Sequence, residues 1–154
     1  MPLHERDIHF FIDATLAHLN KITGNEIALR DPTIEFQSLV FSAYTGLLHL
    51  KGSAEGFVYF TASQQFLQHL HNSSKGRITE EECRTVIGEI TSTIAQAMNK
   101  KFGTTLTLSE PRIFSTVPDD PIEMPPAVFV QPLIWRKEHA YLVLGLASAE
   151  TATP

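Results

Sequence analysis

A chain of 154 residues, 43% hydrophobic and 19% charged, has room for one domain with a proper core and too little for two of ordinary size. Its formal charge of −5, with no stripe of Lys and Arg, excludes a nucleic-acid footprint. No apolar run reaches the ~20 residues of a membrane span, and MPLHERDIHFF has acidic residues where a signal peptide has a basic start, so a cytoplasmic protein with no membrane partner is expected.

The expected layout is one domain over 1–150, its last residues overlapping a flexible tail over 148–154. From Glu5 to Ile22, the residues Ile8, Phe11, Ile12, Leu16 and Leu19 recur at helical spacing, predicting an amphipathic helix that stops near Gly24 and packs on a sheet. Its polar residues Asp13, His18 and Asn20 show no spacing that demands chemistry. Ile27 to Phe36 holds a short strand interrupted at Asp31-Pro32.

Leu39 to Lys51 and Phe57 to Thr61 are rich in apolar and aromatic residues and flank the turn Gly52-Ser53-Ala54-Glu55-Gly56, which predicts an antiparallel hairpin. Unbroken apolarity from Phe57 to Phe60 calls for cover on both faces, from this chain or from a second subunit. Ser63 is placed to cap a short helix from Gln64 to His71, and Asn72 to Gly76 forms a loop.

The best-marked element runs from Thr79 to Gly103. Thr79 and Glu82 form a capping box, Glu80 and Glu81 suit the positive end of the helix dipole, Lys100 and Lys101 suit the negative end, and Gly103 stops the helix. Cys83, Val86, Ile87, Ile90, Ile94, Ala97 and Met98 gather into an apolar stripe, and Thr85, Glu89, Ser92, Gln96 and Asn99 collect on nearly the opposite side. Such a polar row is either a solvated face or a place to meet a partner. Gly88 favours the second, because a glycine inside a helix costs about 1 kcal/mol against alanine and answers to close packing or close approach.

Beyond Gly103, Thr104 to Leu108 and Arg112 to Val117 alternate as one or two strands, and five of the nine prolines, from Pro111 to Pro126, make that segment mostly loop. Val128 to Trp135 and Ala140 to Leu146 flank the polar turn Arg136-Lys137-Glu138-His139 as a closing hairpin, with Pro132 predicting an edge or a bulge.

Several chemistries find no support. His69 and His71, two apart on a helix, diverge by about 200° and cannot grip one ion. The other histidines make no ligand or hydrolase spacing, Gly52 and Gly56 sit in a hairpin turn rather than a phosphate loop, and Cys83 lies on the apolar stripe as a structural thiol. The single cysteine also rules out an internal disulfide.

Gly88-Glu89-Ile90-Thr91-Ser92-Thr93-Ile94-Ala95 resembles the signature helix of the CheC/CheX/FliY phosphatases of bacterial chemotaxis, in which Gly-Glu is followed, three residues after the Glu, by Asn. The order of elements from about Asp7 to Ala147, and the glycine-marked hairpin around Tyr44-Thr45-Gly46-Leu47-Leu48 and Gly56-Phe57-Val58-Tyr59, are similar to CheX, which carries one such helix where CheC typically carries two. The resemblance implies an α+β, CheX-like (CheC-like) fold, a mainly antiparallel sheet of about six strands packed against two long helices and one short one. It implies action on the aspartyl phosphate of a phosphorylated CheY-like receiver domain, in chemotaxis or two-component signalling. The family's Glu pairs with a receiver lysine and its Asn orients the attacking water, while Mg²⁺ belongs to the receiver, so neither a metal nor another cofactor is expected on this chain. By resemblance the protein is also a homodimer joined through its sheet.

Glu89 carries over directly, but Ser92 stands at the Asn position, with a shorter side chain and fewer fixed donors. Gln96, one turn on, has an amide but is displaced by about 6 Å along the axis. Two readings stay open: a phosphatase using Glu89 with Ser92 or Gln96, or a receiver-binding domain that has lost its water-positioning group. Under both, Thr85, Thr93 and Asn99 belong to the receiver-binding surface. In a third reading the polar row is only solvated surface.

Overall fold

The computed structural model describes residues 5–23, 27–31, 33–35, 41–52, 55–71, 78–103, 106–115, 128–135 and 137–147. Their elements are α1 (Glu5–Thr23), β1 (Ala28–Leu29), β2 (Thr33–Glu35), β3 (Tyr44–Gly52), β4 (Glu55–Ala62), α2 (Gln64–His71), α3 (Glu80–Phe102), β5 (Leu106–Leu108), β6 (Arg112–Ser115), β7 (Val128–Trp135) and β8 (Glu138–Ala147). The expected loop at 72–76, most of the proline-rich segment and the tail lie outside the described residues. Among the described residues, no helix is long and apolar enough to cross a membrane.

Among these residues all strand pairs are antiparallel in one sheet of eight strands, ordered β1-β7-β8-β4-β3-β5, with β2 also on β7 and β6 also on β3. The count exceeds the expected six or so because each border is made of two short strands. The expected strand over 27–36 resolves into β1 and β2, and the region after α3 into β5 and β6.

The helices cover one face. Val58, Phe60, Leu48, Leu50, Leu142 and Leu144 turn toward them and join Ile12, Leu19, Phe66, Leu67, Leu70 and the α3 stripe in the main core. Alternation sends Leu47, Phe57, Tyr59, Val128, Val130 and Val143 to the other face, where they form a second cluster with Phe41, Phe114 and Tyr141 packed against it. Tyr59 is 1% exposed, so both faces of β4 are covered within the chain. Phe41 stacks on Tyr59 with centroids 4.9 Å apart.

Two boundaries and the setting of one proline differ from the expectation. The strand that was to begin at Leu39 begins at Tyr44, since the Ser42 amide is taken by the Thr61 hydroxyl at 2.8 Å rather than by a ladder carbonyl; residues 39 and 40 lie outside the description. The closing hairpin is tighter than a four-residue turn: Trp135 pairs with Glu138, and Lys137 takes a left-handed φ of 70° to make the reversal. Pro132 lies neither on an edge strand nor at a bulge, because β7 runs between β8 and the β1/β2 pair. Its carbonyl accepts from Arg30 N at 3.1 Å, so the side of Pro132 that lacks a donor faces the break between β1 and β2, where no ladder bond is missing. Buried Gln131 bridges that break, its Nε2 donating to Arg30 O at 2.7 Å and Pro132 O at 3.0 Å.

The two helix starts follow the sequence. Ser63 Oγ accepts from Phe66 N at 3.1 Å. Thr79 and Glu82 form the capping box, with Thr79 N donating to the Glu82 carboxylate at 3.0 Å and Glu82 N to Thr79 Oγ1 at 3.1 Å. At the other end Gly103, at φ 59°, donates its N–H to Asn99 O. Bounded in this way, α3 lies across β3 with its register fixed.

Candidate functional site

Burial of Cys83, Val86, Ile87, Ile90, Ile94 and Met98 sets the rotation of α3, and that rotation turns Thr85, Glu89, Ser92, Gln96 and Asn99 outward, all exposed. Thr93 is half-buried beside them. The two threonine hydroxyls are committed to their own helix: Thr85 Oγ1 donates to Glu81 O at 3.0 Å, and Thr93 Oγ1 to Glu89 O at 2.9 Å. Each offers a partner only lone pairs.

The row opens onto a groove of about 840 Å³, lined from α3 by Thr85, Gly88, Glu89, Ser92, Thr93 and Gln96. Two other parts of the chain complete it: His18 from α1, and Glu110, Pro111 and Ile113 from the segment that leads into β6. Asn99 is exposed further along α3 and does not line the groove.

Gly88 explains why the wall comes so close. A Cβ there would stand 3.0 Å from Ile113 Cδ1, so β6 approaches α3 at the point where the helix has no side chain. The approach is fixed by Arg84, whose Nη1 donates to Ile113 O at 3.1 Å while its Nε lies 3.8 Å from the Glu80 carboxylate. Ser109 holds the start of the same segment to β3, its Oγ accepting from His49 N at 2.9 Å and its N–H donating to His49 O at 3.0 Å. The groove is therefore built on anchored backbone.

Its electrostatics favour a cation. Glu89 and Glu110 both line it, and among the described residues no Lys or Arg does. Burial pulls the His18 imidazole below its ordinary value of 6.5, with Glu89 opposing that shift and Lys21 adding to it, so the ring is neutral near pH 7. Among the described residues, no three His, Cys, Asp or Glu side chains gather closely enough to hold a metal ion.

Ser92 and His18 share the groove without forming a nucleophile and base, since His18 Nδ1 faces Thr93 Oγ1 at 3.5 Å. The arrangement suits a surface that receives a reactive group from a partner. His18 and Glu110 were not among the residues singled out from the sequence. For His18 the available signal was its place at the border of the α1 stripe, three residues after buried Thr15 and one before buried Leu19.

No protein-family model matches the sequence, and no curated protein does. Solved structures do match in shape. A CheC-like superfamily protein from Shewanella sp. PV-4 superposes with a TM-score of 0.77 at 18% identity, covering 95% of this chain and 100% of that one. The chemotaxis protein CheX from Vibrio vulnificus gives 0.73 at 15% identity over 91% of this chain and 98% of that one. A third match is to the CheX-CheY-BeF₃-Mg²⁺ complex from Borrelia burgdorferi, with 0.68 at 13% identity over 92% and 97%. The likeness spans most of each chain, and with its helices laid over one antiparallel sheet this chain has the CheX-like fold.

Proposed function

We propose that the groove along α3 docks a phosphorylated receiver domain of the CheY type. The observation that carries this reading is the outward row of Glu89, Ser92 and Gln96 in an acidic groove, on a fold one of whose solved relatives is in complex with CheY, BeF₃ and Mg²⁺. Glu89, exposed and with a second carboxylate in the same groove, receives an ammonium group of the receiver. Ser92 lies one turn on, about 4.5 Å along the axis, and Gln96 about 6 Å beyond it. The groove thus sets a charge anchor, a hydroxyl and an amide in line.

Receiver dephosphorylation is the reaction proposed for it. Water attacks phosphorus in line, the bond from phosphorus to the aspartyl oxygen breaks, and inorganic phosphate leaves with the aspartate restored. Such a transfer needs positioning and charge stabilisation more than covalent help, and an amide or hydroxyl that fixes the water supplies the first. Mg²⁺ would be held by the receiver, where it neutralises the phosphoryl oxygens. A second reading rests on the shortness of Ser92: the groove docks the receiver and leaves its phosphate alone.

Partner and reaction both imply a cytoplasmic setting. Association as a homodimer is part of the same reading. Because both sheet faces are buried within the chain, association through the sheet uses its borders, where Leu29 on β1 is 44% exposed. Sedimentation at monomer mass would remove the dimer from the proposal.

The deciding experiment follows the decay of a phosphorylated receiver with the native protein, Glu89→Ala and Ser92→Asn. Acceleration that Glu89→Ala abolishes establishes a phosphatase. Acceleration by Ser92→Asn alone establishes the docking domain without its water-positioning group. Failure of all three to bind or accelerate ends the receiver reading.

A further inference from the structure

His18 Nε2 is shut off from solvent and has no hydrogen-bond partner among the described residues. At the other side of the ring, Nδ1 lies 3.5 Å from Thr93 Oγ1, whose own proton goes to Glu89 O. With that proton committed, Thr93 offers the ring only lone pairs. The network therefore assigns the hydrogen to Nδ1 and leaves Nε2 bare. A line of bonds results, His18 Nδ1–H to Thr93 Oγ1 and Thr93 O–H to the Glu89 carbonyl, tying α1 to the turn of α3 that presents Glu89. Charging the ring would place an N–H donor at Nε2 where no acceptor waits among the described residues, a costly state for a buried group.

We propose that His18 is a specificity-determining residue of the docking groove, admitting a cationic group at Glu89 only while its imidazole is neutral. This rests on the receiver-docking reading of Glu89. An imidazolium in the groove and an ammonium from the partner compete for the same carboxylate and repel each other, so a charged His18 closes the site to a lysine. Among the described residues, the charged groups around the ring are few. Glu89 favours the imidazolium, Lys21 on the same helix opposes it, and Glu110 lines the same groove. The other helix in contact with α1 is α2, which has no acidic or basic residue besides His69 and His71. Burial outweighs Glu89 and keeps the ring below its ordinary value. At neutral pH the carboxylate is left free for the partner.

The test measures affinity calorimetrically between pH 7.5 and 5.5. The probe is a CheY-type receiver loaded with Mg²⁺ and beryllofluoride, and the full chain is used as wild type, His18→Gln and Glu89→Ala. Wild-type affinity should fall on acidification, by less than about tenfold at pH 5.5 because the free ring titrates below 6.5. His18→Gln keeps an amide donor for Thr93 and cannot charge, so its affinity should fall less by that amount. If His18→Gln keeps the whole wild-type slope while Glu89→Ala loses binding, the inference fails and the docking reading stands. If Glu89→Ala binds as wild type does, both fail. NMR titration of the unmodified protein needs no substitution: by reciprocity the His18 ring must titrate lower in the complex than in the free protein, and an equal or higher value overturns the proposal.

Discussion

A methyl group on Gly46 would run into the hydroxyl of Thr91: β3 passes under α3 there with no room for a side chain, and Ile87 Cγ2 stands 2.9 Å from the same position. Thr91 is itself fixed, 1% exposed and donating to Ile87 O at 2.7 Å. The seating of α3 on the sheet, and with it the height of Glu89 and Ser92 in the groove, depends on this contact.

Gly46→Ala should therefore destabilise the protein by about 1–3 kcal/mol, the usual cost of overpacking a core. For a chain of this length that is a fall of about 2–4 °C in Tm per kcal/mol. Gly46→Ala with Thr91→Ala should recover part of the loss, because the hydroxyl is the atom nearest the added methyl. Thermal unfolding of the two single variants and the double variant measures the coupling. Strict additivity would mean that the clash relaxes elsewhere.

Cys83 should be silent toward thiol reagents in the folded protein. It is fully buried on the core face of α3, and burial pushes its thiol above the ordinary value while the adjacent Tyr44 hydroxyl pulls the other way. Since the thiolate is the reactive form, alkylation at pH 8 should wait for unfolding. Labelling followed by mass spectrometry should show no adduct until denaturant reaches the unfolding transition. Rapid labelling of the native protein would contradict the packing described.

Local signals made α3 readable. Thr79 with Glu82, the acidic first turn and Gly103 act within one or two turns of the chain, and the apolar stripe fixes which residues face out, so Glu89, Ser92 and Gln96 were placed together from periodicity alone. The groove was not readable, because its other walls come from far away in the chain. Thr93 and His18 are 75 positions apart, and nothing near His18 announces the contact. Pro132 shows the same limit: its missing donor suggested an edge or a bulge, whereas the break that accommodates it lies between β1 and β2, a hundred residues earlier. Gly88 lay between these cases. Its presence signalled a close approach, and Ile113 as the group approaching emerged only from the fold.

Stability should fall on mild acidification, and His18 should account for part of it. Burial holds its folded-state pKa below 6.5, whereas the unfolded chain titrates near 6.5. Between those two values the unfolded state binds more protons, so stability rises with pH there; the contribution is fully present above 6.5 and is lost as pH falls toward the folded value. Urea unfolding at pH 7.5, 6.5 and 5.5 should show a declining midpoint for the wild type and a shallower decline for His18→Gln. Equal slopes would mean that the ring titrates alike folded and unfolded.

Under the dephosphorylation proposed above, the choice between Ser92 and Gln96 as the group that holds water comes down to reach. Both are exposed in the groove, but Gln96 is one turn further from Glu89. If Gln96 supplies the amide, Gln96→Ala should lower receiver dephosphorylation by about 10²-fold, the scale of losing a positioned reactant, while Ser92→Ala changes little. If Ser92 holds the water, the pattern reverses. Ser92→Asn then places an amide about 4.5 Å from Glu89 along the axis, at the spacing of the signature helix that this sequence resembles. Both side chains are exposed, so the substitutions should leave Tm within about 1–2 °C of wild type, as surface changes away from special features usually do. Rates equal to the unassisted decay of the receiver for native, Gln96→Ala and Ser92→Ala proteins, with receiver binding intact, would assign neither residue to catalysis and leave docking as the function of the groove.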